Sequence, residues 1–161
     1  MKAEGEEIGL QYAAVPYRLS WNGHIDVLLI TSRDTGRWII PKGWPLPGEA
    51  GSAAAGREAF EEAGIAGAAD VPAVGAYDYR KKRPQGDIIC RVEVFSLRAA
   101  AELESWPDRR RRRRVWFTIP DAAARVEETE LKAIIMRMPV IARRDERANR
   151  SAAFASGTDT A

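Results

Sequence analysis

Gly43-Trp44-Pro45-Leu46-Pro47-Gly48-Glu49-Ala50-Gly51-Ser52-Ala53-Ala54-Ala55-Gly56-Arg57-Glu58-Ala59-Phe60-Glu61-Glu62-Ala63-Gly64-Ile65 is the stretch on which the reading of this chain turns. Its first part is dense in Gly and Pro, from Pro41 to Gly51, and reads as loop. Ser52 is a good helix N-cap, and the three alanines after it start a helix over about 53–63 that ends at Gly64. On that helix Glu58, Glu61 and Glu62 fall at i, i+3 and i+4, so three carboxylates share one face. Like charges at this spacing repel, and a bound cation offsets the repulsion. Hard divalent ions such as Mg²⁺ or Mn²⁺ prefer carboxylate oxygens and also bind phosphates. Arg57 stands four residues before Glu61, placed to orient a carboxylate by a charge-assisted hydrogen bond. The competing reading is a solvated acidic face on a surface helix.

Outward from this segment the pattern alternates between sheet and helix. Residues 11–31 read as a hairpin, with Val15, Tyr17 and Leu19 on one side of its first strand and Asn22-Gly23 at the turn. Ile25–Thr31 barely alternates, which predicts burial on both faces. Asp34-Thr35-Gly36 is a turn, and Trp38-Ile39-Ile40 a short strand stopped by Pro41. Residues 71–80 form a strand or irregular edge, 87–97 a clearly alternating strand, and 115–118 a short strand. Pro120 opens a short helix over 121–126. Leu131, Ile134, Ile135 and Met138 mark an amphipathic helix interrupted or ended by Pro139. This order predicts a mixed sheet with helices packed on it and a parallel strand pair within it.

The 161 residues suit one domain, and 45% hydrophobic with 30% charged residues is ordinary for a globular protein. No apolar run is long enough to cross a membrane as a helix. The acidic N-terminus, with Glu4, Glu6 and Glu7, does not read as a secretory signal, and the lone Cys90 fits a reducing, cytoplasmic setting. The net charge of +2 conceals a segregation. The runs Arg80-Lys81-Lys82-Arg83 and Arg109–Arg114 hold ten of the 25 basic residues; the other 15 face 23 acidic ones. Two concentrated positive patches suggest a polyanionic ligand, against the plain alternative of two solvated loops.

The spacing settles the first ambiguity. Gly43, Glu49, Arg57-Glu58, the apolar Ala59, Glu61-Glu62, Gly64 and the apolar Ile65 match every position of a pattern that arises by chance roughly once in 10⁸ starting points or less. The segment resembles the Nudix box. Ser32-Arg33, Arg37-Trp38-Ile39-Ile40-Pro41, the basic loop 80–83 and Arg112-Arg113-Arg114-Val115-Trp116-Phe117 look like the diphosphoinositol polyphosphate phosphohydrolase branch of that superfamily. The likeness covers roughly residues 12–138. Where that branch has a Pro-Gly-Gly-Gly stretch, this chain has Pro41-Lys42-Gly43-Trp44, a departure expected to reshape the pocket mouth.

The resemblance implies an α/β/α sandwich around a mixed sheet, with residues 1–10 a flexible N-terminus, 11–141 the Nudix hydrolase domain and 142–161 a polar, frayed tail. It implies Mg²⁺- or Mn²⁺-dependent hydrolysis of a diphosphate linkage by water attack on phosphorus. The substrate would be a highly phosphorylated small molecule of diphosphoinositol or diadenosine polyphosphate type. By the box pattern Glu58 and Glu62 would bind metal, Glu61 would add a ligand or position water, and the Lys42 carbonyl would be a further ligand. Glu49 would support the site and Arg57 orient its glutamates. Ser32, Arg33, Lys42, Arg80, Lys81, Lys82, Arg83 and some of Arg112, Arg113 and Arg114 would bind phosphate; strand alternation lets at most about half of an arginine run face one pocket. The alternatives are another nucleoside diphosphate derivative (ADP-ribose, a dNTP or an RNA 5′ end), a basic nucleic-acid-binding domain, and a non-catalytic ligand sensor. Of the remaining residues, Cys90, Trp21, Trp106 and Trp116 read as packing and His24 as a turn residue. Trp38, Trp44, Tyr77 and Tyr79 read as either packing or ligand contacts, and Glu127, Glu128 and Glu130 as the first turn of a helix or a remote carboxylate source.

Overall fold

The computed structural model describes residues 8–157. Nine strands and three helices follow in the order β1 (Ile8–Leu19), β2 (Ile25–Thr31), β3 (Trp38–Ile39), β4 (Lys42–Gly43), α1 (Gly51–Ala63), β5 (Ile65–Ala66), β6 (Gly75–Lys81), β7 (Ile88–Arg98), β8 (Ala101–Glu102), β9 (Arg114–Thr118), α2 (Ile119–Arg125) and α3 (Thr129–Gly157). The main sheet runs β3-β2-β1-β7-β6, with β9 paired to β2 and β4 to β1; β5 and β8 form a separate pair. β1 and β7 run parallel from Ile8↔Ile89 to Tyr17↔Arg98, and the other ladders are antiparallel, so the sheet is mixed as expected.

The sheet has a core on each face, which explains the weak alternation of β2. Val27 and Leu29 join Val15, Tyr17, Val92 and Val94 under α2 and α3, where Leu131, Ile134, Ile135 and Met138 pack. Leu28 and Ile30 point the other way, onto Ala55, Ala59 and Ala63 of α1 with Phe95 and Leu97. Each large side chain so buried stabilises the fold by about 1.5–3 kcal/mol. The alanine face of α1 brings that helix close to the sheet. Helix, sheet and helix form the α/β/α sandwich that the sequence predicts.

Five local expectations are corrected. Residues 8–10, assigned to a flexible N-terminus, are the first rungs of β1 because β7 extends far enough to pair with them; residues 1–7 lie outside the described residues. The helix N-cap is Ala50 rather than Ser52, and it makes no side-chain cap bond. The helix opens at Gly51, which seats against the Tyr12 ring, where a Cβ would lie 2.5 Å from Cε1. The Gly/Pro stretch contains β4, since Lys42 and Gly43 pair with Ala13 and Tyr12 of β1. Pro139 does not end α3, which continues to Gly157, so residues 142–157, expected in a polar frayed tail, are helical; residues 158–161 lie outside the described residues. An internal proline costs about 3 kcal/mol, but Met138, Ile141 and Ala142 beside it are buried in the core, an offset of similar size. Lastly, Trp21 is not a packing residue: it is 97% exposed at the hairpin tip.

Candidate active site

The box begins where β4 leaves β1. The Pro41 carbonyl accepts from Ala14 N–H at 3.1 Å, so the loop starts from a point fixed to the central strand. Gly43 leaves room there for the Glu58 side chain. A Cβ at this position would sit 2.4 Å from Glu58 Cδ, so only glycine lets the Glu58 carboxylate lie against the backbone. At the far end Gly64 has φ +64, the left-handed conformation that closes a helix, and its N–H bonds the carbonyls of Ala59 and Phe60.

Arg57 organises the acidic face with every edge of its guanidinium. Nε and Nη2 donate to Glu49 Oε2 and Oε1, both at 3.0 Å. Nη1 donates to Glu58 Oε1 at 3.0 Å and Glu61 Oε2 at 3.3 Å. Nη2 also holds the Trp44 carbonyl at 3.0 Å. The Glu49 carboxyl is lowered, first by the Arg57 hydrogen bonds and then by Leu46 N–H. Glu49 therefore ties the loop to the helix through Arg57, and neither residue lines the cavity.

Glu58 and Glu62 are both held above the usual carboxylate range. For Glu58 the causes are burial and then the Glu62 charge; for Glu62 burial dominates, opposed by Arg112 and Lys42. Lys42 sits 4.8 Å over the Tyr79 ring, and burial lowers its ammonium against the opposing pull of Glu62. Tyr79 OH in turn donates to Gln11 Oε1 at 2.7 Å. Glu61 is turned outward, 44% exposed, onto Arg57. Among the described residues no three acidic, histidine or cysteine side chains form a ready-made cation cage. The donor set nevertheless fits a hard divalent ion. Two buried carboxylates whose charge is disfavoured by burial line an open cavity, and a cation there would offset that cost.

That cavity, of about 680 Å³, gathers most of the predicted residues: Glu58, Glu61 and Glu62, and facing them Ser32, Arg33, Lys42, Arg80, Lys81, Lys82 and Arg112. Trp44 and Tyr79 line it too, whereas Trp38 packs on Phe117 in the core and Tyr77 is buried. Arg83 lies outside the lining, where its Nε donates to the Gly86 carbonyl at 3.2 Å.

The last three arginines of the run separate in function. Arg112 turns in and pairs with Glu62 at 2.7 Å and Asp108 at 2.9 Å. Arg113 lies over Trp38 at 5.5 Å, outside the lining. Arg114 caps α1: it donates to the carbonyls of Ala63, Gly64 and Leu103 at 3.0, 3.2 and 2.6 Å and stacks on Trp106 at 3.8 Å. Of the three arginines of which some were expected to bind phosphate, Arg113 and Arg114 thus stand outside the cavity, because one lies over the Trp38 ring and the other satisfies a helix end.

Three further residues at or beside the site were given no binding role by sequence beyond the remote carboxylate reading of Glu128. Arg37 lines the cavity and pairs with Glu128 at 2.8 Å. Among the described residues Glu128 Oε2 is the buried side-chain oxygen without a hydrogen-bond partner. Asp108 anchors Arg112. Asp108 had a readable signal, its position four residues before Arg112; Glu128 was read as a remote carboxylate source or the first turn of a helix, and its contact with Arg37 requires the tertiary fold.

A mixed α/β/α sandwich with a carboxylate helix beneath a basic cavity defines the Nudix class. A family model of the NUDIX domain matches residues 7–137, and the chain belongs to this family. Nudix hydrolase 12, mitochondrial, of Arabidopsis thaliana is 33% identical over 102 residues, covering 61% of this chain and 50% of that protein. Diphosphoinositol polyphosphate phosphohydrolase 3-alpha of Mus musculus is 38% identical over 100 residues, covering 60% and 57% respectively. The chain thus spans little more than half the length of these relatives. Among solved structures, the C. elegans Ap4A hydrolase superposes with a TM-score of 0.60 over 84% of this chain and 98% of that one, at 20% identity. This last likeness concerns the fold.

Proposed function

We propose that the chain hydrolyses a diphosphate linkage in a highly phosphorylated small molecule of diphosphoinositol polyphosphate or diadenosine polyphosphate type, with Mg²⁺ or Mn²⁺. The observation that carries this is the single cavity that sets the glutamates of α1 against Ser32, Arg33, Lys42, Arg80, Lys81, Lys82 and Arg112. Nudix hydrolases generally use divalent metal ions, and Glu58 and Glu62, joined by Glu61 and the Lys42 carbonyl, would hold one here. Bound there, the ion would neutralise phosphate charge and lower the pKa of a coordinated water.

The protein's own groups do the rest. Arginines grip phosphate oxygens bidentately and lysines add point charge, which fixes the diphosphate against the helix. Water attacks one phosphorus, its proton passes to the glutamate cluster, and the bridging P–O bond breaks with the electron pair leaving on the departing phosphate. The name of the mouse relative, a diphosphoinositol polyphosphate phosphohydrolase, supports the substrate class.

The test is a panel of diphosphoinositol polyphosphates, diadenosine polyphosphates, ADP-ribose, dNTPs and capped RNA, each with Mg²⁺ and with Mn²⁺. Turnover should be greatest with the first two groups. Glu62→Gln should lower it more than about 100-fold while the fold is kept. Preference for ADP-ribose, a dNTP or capped RNA would overturn the substrate class, and full turnover by Glu62→Gln would remove that residue from the mechanism.

A further inference from the structure

Glu62 is the carboxylate the proposed function needs for metal, and the protein already occupies both its oxygens. Oε1 accepts Lys42 N–H at 3.2 Å. Oε2 accepts Arg112 Nη2 at 2.7 Å, and the two side chains are only 8% and 10% exposed. Solvent therefore screens this pair weakly. The guanidinium is also fixed from two other directions: Nε donates to Asp108 Oδ2 at 2.9 Å and Nη1 to the Thr31 carbonyl at 3.2 Å. Those anchors belong to the loop before β9 and to the end of β2, so they keep the guanidinium at the site while its Nη2 is free to exchange Glu62 for another partner. A divalent ion on Glu62 would meet a fixed positive charge at ion-pair distance.

We propose that Arg112 is the internal counter-ion of the glutamate site: it competes with the divalent cation for Glu62 Oε2, and once displaced it offers its Nη2 hydrogens to the phosphate chain in the same cavity. This rests on the reading of Glu62 as a metal ligand. It gives one residue two successive partners of the same charge, a carboxylate and then a phosphate. Metal occupancy and phosphate binding then favour each other, and by linkage the preference is mutual. It also explains why Arg112, of the last three arginines, is the one that lines the cavity beside Asp108, which keeps the guanidinium at the site during the exchange.

The test uses the full chain without substrate, titrated with Mn²⁺ and read by the electron paramagnetic resonance signal of free Mn²⁺. Arg112→Gln should tighten Mn²⁺ binding by about tenfold or more, because a buried like charge is removed. Arg112→Lys, which keeps the charge, should stay near the wild type. Unchanged or weaker Mn²⁺ binding in Arg112→Gln, with circular dichroism showing a folded chain, overturns the proposal.

Removing one partner of a buried pair is costly, so a second measurement uses the unaltered protein. The arginine side-chain ¹⁵N spectrum, with the Arg112 signal assigned from Arg112→Lys, should show that signal shifting as Mg²⁺ is added. A fixed Arg112 signal while Mg²⁺ binds also overturns the proposal. Glu62→Gln separates the two levels. If it leaves Mn²⁺ binding intact, the reading of Glu62 as a ligand fails and the counter-ion role falls with it. If it abolishes binding and Arg112→Gln does not tighten it, only the counter-ion role falls.

Discussion

Arg114 shows how a single side chain can be charged, aligned with a basic run and still have no direct part in binding. Its guanidinium satisfies the last carbonyls of α1, reaches the Leu103 carbonyl and lies on the Trp106 ring. Trp106 in turn donates its indole N–H to the Glu62 carbonyl at 3.2 Å, so the helix end is sealed on both sides. Arg114→Ala should cost roughly 1–3 kcal/mol, the sum of several modest hydrogen bonds and a cation–π contact. Urea unfolding checks this, and Mn²⁺ affinity measured on the same variant should stay within about threefold of the wild type. An equal loss of affinity and stability would return Arg114 to the binding site. In the sequence, residues 109–114 are six identical letters. Alternation predicts that about half turn away, but it does not say which residue meets a helix end, which an aromatic ring and which a carboxylate. Those depend on where the ends of α1 and β2 arrive in space. The acidic partners were far more legible, because Glu58, Glu61 and Glu62 sit within one helical turn and Arg57 reaches two of them directly.

At the scale of elements, α3 carries a device that the composition of its second half does not announce. Asp145 accepts from Ser96 Oγ at 2.6 Å and Tyr17 OH at 3.4 Å, and Arg98 bonds Glu146 at 2.6 Å. These contacts fasten the polar end of the helix to β1 and β7. Asp70 joins them, with its carboxyl raised by burial first and then by the nearby Asp145 carboxyl. The sign follows from linkage. The folded protein holds this proton more tightly than the unfolded chain, so the stabilisation is complete below the ordinary value of 3.8 and is lost as pH rises through the raised value. Asp70→Asn, which has no titrating proton, should flatten that part of the stability–pH profile. Urea midpoints for both proteins across pH 4–7 measure it; parallel profiles would refute the raised carboxyl. The apolar stripe of α3 is legible in the sequence, but Pro139 reads there as interrupting or ending the helix, because the local rule for proline is strong and the packing that overrides it is long-range. The two-sided burial of β2, by contrast, was legible from four consecutive apolar residues, and with it the layered architecture.

At the scale of the whole molecule, the charge of +2 is a sum over regions with different tasks. The 80–83 run brings Arg80, Lys81 and Lys82 to the cavity wall opposite the glutamates. The first half of the second run does not reach it: Arg109, Arg110 and Arg111 are exposed on the turn that precedes the inward-turned Arg112, and none lines the cavity. Equal charge should therefore have unequal effects. A cleft lined by one sign focuses its field on a ligand, while charges on an open turn are screened over roughly 8 Å at physiological salt. Replacing Lys81 and Lys82 together by Ala should raise KM for a polyphosphorylated substrate by about tenfold per charge, as expected for lost hydrogen bonds to a charged group, with a smaller change in kcat. Replacing Arg109, Arg110 and Arg111 together by Ala removes more charge, yet should leave KM within about twofold at physiological salt. Initial rates at two ionic strengths distinguish the cases. If the arginine triple variant raised KM as much as the lysine pair, binding would follow the total charge of the molecule and the cavity would not be what selects its ligand.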